Sequence, residues 1–171
     1  MIVLGIDPGY ATVGFGAVAY EKGKFTPLEY GAVKTDPGLS FQARLFEIHR
    51  DILSLIDHIK PDAVAVEELF FNTNVKTAIE VGHARGVIVL AITEKGIPFF
   101  EYTPLEVKQA VVGYGRAEKR QVMEMTKVLL KLSKMPKPDD AADALAIAIC
   151  HAHTASSQLH TQKGEAGCFI T

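Results

Sequence analysis

Two short, almost unbroken apolar runs constrain this chain more than any other feature: residues 2–6 and 63–66, each closed by a carboxylate, Asp7 and Glu67. A strand carries apolar side chains on both faces only where both faces are covered. These runs therefore read as central strands of a sheet with helices above and below. Asp7-Pro8-Gly9 ends the first run in a turn and leaves Asp7 at its carboxyl end. Residues 13–20 and 28–34 read as two more strands, joined by the polar turn Glu21-Lys22-Gly23-Lys24 into an antiparallel meander.

Beyond residue 40 the period becomes helical. Phe41, Leu45, Ile48, Ile52, Leu55, Ile56 and Ile59 predict an amphipathic helix that Lys60-Pro61 ends. Residues 75–93 predict a helix that is apolar on most sides, and 97–102 a fifth strand. Thr103-Pro104-Leu105-Glu106 is a capping box with proline at the first helical position, which predicts a helix over 104–112. Two more follow. In 117–132, Val122, Met125, Leu129 and Leu132 lie on one side and Arg120, Lys127 and Lys131 on the other; 139–155 has an Ala/Leu/Ile body that looks buried all round.

Three strands, helix, strand, helix, strand, then helices is an α/β order. It describes a five-stranded mixed sheet flanked by helices on both faces, the order of a ribonuclease-H-like fold. A chain of 171 residues with 48% hydrophobic content builds one core. The expectation is one domain over residues 1–155 and a flexible polar tail, 156–171, without chemistry. Ligands of such sheets bind beyond the carboxyl ends of the strands, where Asp7 and Glu67 meet if their strands are parallel neighbours.

A net charge of −2 argues against an indiscriminate nucleic-acid coat, but the charge is unevenly spread. Residues 104–137 hold eight Lys/Arg against three Glu, while the rest holds ten Lys/Arg against seventeen acids. A basic segment attached to an acidic body suits a phosphate-bearing partner held beside a carboxylate-rich centre. Cys150 and Cys168 are too few for a disulfide framework and match no zinc pattern. With neither a signal peptide nor a bilayer-length apolar run, the expected location is the cytoplasm, with no membrane partner.

Asp140 and Asp143 stand three apart at the start of the last helix and so share one face, at its positive end. Four gathered carboxylates repel one another and are costly to desolvate unless a cation neutralises them. Oxygen ligands without imidazole or thiolate select Mg2+, with Mn2+ as a substitute, over zinc or copper. A pair of ions there suits an in-line phosphoryl displacement. Each acid alone has a plainer reading, as turn former, helix cap or solvated strand end, and Asp139 is assigned to that class as the N-cap. Only one of Glu67 and Glu68 can face the site, because strand side chains alternate. What favours a site is convergence: three segments each place acid at the same edge, on elements otherwise apolar.

Gly5-Ile6-Asp7-Pro8-Gly9, Val66-Glu67-Glu68-Leu69-Phe70, Val107-Lys108-Gln109 and Asp140-Ala141-Ala142-Asp143-Ala144-Leu145-Ala146 together resemble the bacterial RuvC Holliday-junction resolvases, over nearly the whole chain to about His153. The resemblance implies a homodimer that nicks two opposed strands of a four-way DNA junction, in recombination and repair, leaving 5′-phosphate and 3′-hydroxyl ends. It implies catalytic acids at Asp7, Glu67, Asp140 and Asp143, stacking on DNA by Phe70, and phosphate contacts by Lys108 and Lys119. It also implies cooperation with the RuvA and RuvB branch-migration proteins. Arg120 and Lys127 join the DNA-contact candidates from the basic helix. The plainer readings are a surface charge for Lys119 and core packing for Phe70-Phe71; Cys150-His151-Ala152-His153, deep in an apolar helix, reads as structural.

Three rivals are weighed against this. An actin-like ATPase needs a second domain for which the chain is too short. A prenyl synthase reading of Asp139-Asp140-Ala141-Ala142-Asp143 needs an all-helical bundle. A non-catalytic junction binder has no reason to keep four acids. The helix over 75–93 adds an expectation of its own. Its apolar residues exceed what one sheet contact covers, and Gly82 and Gly86 clear a path for a second helix, so a dimer is expected there.

Overall fold

The chain is described by a computed structural model that covers residues 1–68 and 75–165, and among them the side chains of all but 75, 76 and 157–165. The strands are β1 (Ile2–Asp7), β2 (Thr12–Glu21), β3 (Lys24–Lys34), β4 (Ala63–Glu67) and β5 (Phe99–Tyr102). The helices are α1 (Phe41–Ile59), α2 (Val75–Glu94), α3 (Pro104–Val112), α4 (Lys119–Leu129) and α5 (Asp139–Glu165). The sheet order is β3-β2-β1-β4-β5; β2 runs antiparallel to both its neighbours, while β1, β4 and β5 are parallel. This is the mixed, ribonuclease-H-like sheet that the order of elements predicts.

Alternation along the strands divides the apolar side chains into two cores. Leu4, Ile6, Val64 and Val66 pack with Ile48, Ile52 and Ile56 of α1 and with Ala84, Ile88 and Ile92 of α2. Val3 and Ala65 point the other way, into a layer built by Val107 of α3, Val122 of α4 and Leu145 and Ile149 of α5. Both faces of β1 and β4 are therefore covered, which is why their sequences carry no polar alternation.

The α5 side has a feature that sets the position of everything at the acidic edge. A Cβ at Gly5 would lie 2.0 Å from the Ala144 carbonyl oxygen, one at Gly14 2.1 Å from that of Asp140, and one at Gly16 2.7 Å from the Leu145 side chain. Gly5 and Gly16 are register partners, as are Asp7 and Gly14. Glycine on the sheet and buried Ala141, Ala144 and Ala148 on the helix let the α5 backbone lie almost against the strands.

Local signals act as expected at most boundaries. Ser40 caps α1, its Oγ accepting from Ala43 N at 3.3 Å, and Lys60 ends that helix in the left-handed conformation at φ 51°. At α3 the capping box closes both ways: Glu106 N donates to Thr103 Oγ1 (3.2 Å) and Thr103 N to Glu106 Oε2 (2.8 Å). Some edges differ from the expectation. β3 begins at Lys24 rather than at residue 28, because the hairpin pairs down to Glu21 and Lys24; Pro27 and a bulge between Ala17 and Val18 hide its alternation, tolerable on an edge strand. β5 begins at Phe99 rather than 97. α4 is shorter than 117–132, since Lys131 turns left-handed at φ 52°. Asp139 is the first residue of α5 rather than its N-cap: Ala141 N bonds the Pro138 carbonyl at 3.0 Å, so Pro138 opens the turn. The helix continues to Glu165, past residue 155. Among the described residues no helix is long and apolar enough to cross a membrane.

Candidate active site

Parallel pairing of β1 with β4 matches Ile6 to Val66, so Asp7 and Glu67 stand side by side at the carboxyl ends of strands about 4.8 Å apart. Alternation puts both on the face of Gly5 and Ala65, the face that α5 covers. Glu68 points elsewhere and is exposed, its backbone N–H bonded to the Tyr102 carbonyl at 2.9 Å. α5 crosses this edge with its first turn against Gly14, the partner of Asp7, and thereby delivers Asp140 and Asp143.

Burial acts on these acids as expected of crowded carboxylates. Asp7 is pushed up to about 8, first by burial and then by the charges of Glu67, Asp143 and Asp140, against which Lys119 pulls it down. Glu67 is raised by burial and by Asp143, again opposed by Lys119. Asp143 is raised by burial in spite of its hydrogen bond from Lys119, with Asp140 and Asp139 adding to the rise. Lys119 is the first residue of α4, and its Nζ donates to Asp143 Oδ2 at 2.6 Å. Burial lowers the Lys119 ammonium, but Asp143, Asp139 and Asp7 outweigh it and hold the net value above its ordinary range.

A cleft of about 330 Å³ opens beside these groups, lined by Glu67, Lys108, Lys119 and Asp143 over a floor of Val107, Val122 and Ile147. Lys108 thus lines the same cleft as Glu67, Lys119 and Asp143. Arg120 and Lys127 do not line the cleft; Arg120 is highly exposed and pairs with Glu124 on its own helix at 2.9 Å. Phe70 and Phe71 lie outside the described residues. Among the described residues, no three His, Cys, Asp or Glu side chains are already drawn into a metal cage. The donor set at this edge is nonetheless carboxylate oxygen, which fits a hard divalent cation. The soft alternatives are committed elsewhere: burial pushes the Cys150 thiol up to about 12, and buried His151, lowered by burial, shares a 2.8 Å hydrogen bond with Tyr102 Oη and stacks on Phe100.

Sequence reasoning missed two components. The Lys119–Asp143 pair spans 24 residues, and no local pattern announces it. The glycines left a trace, because Gly14 and Gly16 occupy alternate positions of a strand that the acid-bearing strand must pair with.

A ribonuclease-H-like sheet with acids from two parallel central strands and from the first turn of the last helix defines a carboxylate-site nuclease of that fold. Residues 3–151 match the family model described as crossover junction endodeoxyribonuclease RuvC. The chain belongs to the RuvC family, whose members are metal-dependent nucleases. A relative from Ruminiclostridium cellulolyticum, a crossover junction endodeoxyribonuclease RuvC, is 56% identical over 90% of this chain and 93% of its own. Its counterpart from Alkaliphilus oremlandii is 58% identical over 90% and 94%. The structure of Thermus thermophilus RuvC in complex with Holliday junction substrate superposes with a TM-score of 0.88 at 41% identity, covering 92% of this chain and 96% of that one.

Proposed function

We propose that this protein is a crossover junction endodeoxyribonuclease that resolves four-way DNA junctions by paired, metal-dependent phosphodiester hydrolysis. The observation that carries the reading is the edge itself: Asp7 and Glu67 in parallel register, with α5 lowered onto glycine so that Asp140 and Asp143 join them. We read all four as the catalytic and metal-holding acids. Asp7, Glu67, Asp140 and Asp143 would hold magnesium, with manganese as substitute and two ions per site, and the metal would supply the positive charge that an in-line phosphoryl displacement needs.

The chain's own residues do the rest. Burial on one side and an open cleft on the other confine the attacking water to the acidic edge. Lys108 and Lys119 hold the phosphate from the cleft wall, and Phe70 stacks on a base near the crossover. Water adds its oxygen to phosphorus and gives up a proton to solvent, the bond from phosphorus to O3′ breaks, O3′ takes up a proton, and the products are a 5′-phosphate and a 3′-hydroxyl. Arg120 and Lys127 extend the basic surface along α4 toward more distant phosphates. The enzyme works as a cytoplasmic homodimer, with RuvA and RuvB as partners by family resemblance. Its nuclease domain spans residues 1–155, and residues 156–171 add no chemistry.

The test is a labelled four-way junction incubated with Mg2+ or with EDTA. Wild type cuts only with the metal, and Asp143→Asn binds the junction but loses cleavage by about a hundredfold or more. Wild-type cutting in EDTA, or full activity of Asp143→Asn, refutes the site. Phe70→Ala weakens resolution without altering the salt dependence of binding, because stacking releases no counterions.

A further inference from the structure

Lys119 has two claims on its ammonium. The proposed chemistry wants it on a phosphate, yet its Nζ sits 2.6 Å from Asp143 Oδ2, and the lysine side chain is 58% exposed where the aspartate is 26% exposed. The pair joins the first residue of α4 to the first turns of α5, at the mouth of the cleft that Glu67 also lines. A single positive charge there offsets part of a four-carboxylate cluster that would otherwise repel itself. A carboxylate whose oxygen accepts a short hydrogen bond from an ammonium does not present that lone pair to a divalent ion. Lysine suits the task better than arginine, because its one compact charge leaves by rotating a flexible stem, with no two-point fork to break.

We propose that Lys119 is an exchangeable counter-ion of the site: it neutralises Asp143 before a divalent cation binds, and cation binding releases it into the cleft toward the phosphate. It acts through Asp143 at that stage and is a positioning residue. This inference rests on the metal reading above and adds an order of events: the lysine becomes available to DNA only once metal is bound. It predicts that the lysine weakens metal binding in the absence of DNA, the opposite of what a purely structural brace would do.

The experiment is calorimetric titration of Mn2+ into the full chain without DNA, for wild type, Lys119→Met and Lys119→Arg. Lys119→Met tightens Mn2+ binding by up to about fivefold, because no ion pair has to be broken. Lys119→Arg keeps the wild-type affinity. On wild type alone, the Lys119 ammonium nitrogen, followed by NMR during Mg2+ titration, loses its hydrogen-bonded signature in step with metal occupancy. Equal or weaker Mn2+ affinity in Lys119→Met, or an ammonium signal unmoved at saturating Mg2+, overturns the exchange while the metal reading stands. A wild type that binds no Mn2+ overturns both.

Discussion

Asp7 sits where its own ionisation is disfavoured, and that has a sign that can be measured. Its folded value of about 8 lies above the ordinary 3.8 because of burial and three neighbouring acids. Between those two values the folded state binds more protons than the unfolded one, so the contribution of Asp7 to metal-free stability is full below about pH 4. It falls as pH rises and is gone above about 8. Thermal unfolding in EDTA therefore loses more between pH 5 and pH 8.5 in wild type than in Asp7→Asn. Each kcal/mol appears as about 2–4 °C in a chain of this size. Parallel losses in the two proteins would show that Asp7 is not held in a self-repelling cluster. Added Mg2+ removes most of the difference by stabilising the charged form. For Lys119 the matching expectation concerns DNA: with metal present, Lys119→Met flattens the slope of log affinity against log salt by about one unit. An unchanged slope returns it to a surface charge.

At the level of elements, the site depends on how closely α5 approaches the sheet. A methyl at Gly14 has the Asp140 carbonyl oxygen in its place, at 2.1 Å, and both are backbone-anchored, so the helix itself has to move. Gly14→Ala is expected to cost about 1–3 kcal/mol and, more tellingly, to reduce cleavage in the molecules that remain folded. The control is Gly86→Ala on α2, where an added Cβ meets nothing within 4 Å. That substitution replaces a poor helix former in open space and leaves the monomer as stable or slightly more so. Denaturation midpoints and single-turnover cleavage measured together separate the outcomes, and a Gly14→Ala enzyme with wild-type chemistry would falsify the link between helix depth and acid placement.

For the whole molecule, α2 poses the question of assembly. Ala84, Ile88, Ala91 and Ile92 are buried, but the opposite stripe is not: Ile79 is 54% and Leu90 51% exposed, with Gly82 and Gly86 between them opening onto empty space. Helical spacing puts these four on one flat apolar line, suited to an isologous contact with the same helix of a second copy. Light scattering at micromolar concentration is expected to give twice the 18.6 kDa chain mass. Gly86→Leu is expected to shift it toward the monomer while leaving the carboxylate site assembled, since the bulky side chain has room within the monomer. A wild-type monomer that makes paired nicks sinks the dimer. What the sequence determined on its own was local or periodic: the buried strands 2–6 and 63–66, α1 to its last residue, the capping box of α3, and acids at Asp7, Glu67, Asp140 and Asp143 on elements too apolar to want them. Chain order and the carboxyl-edge rule then bring those acids together. The tertiary structure alone decided that Gly5, Gly14 and Gly16 set the depth of α5 and that Lys119 rests on Asp143. Each of these joins residues far apart in the chain, and strand register and side-chain contact are physical facts about packing that no local pattern encodes.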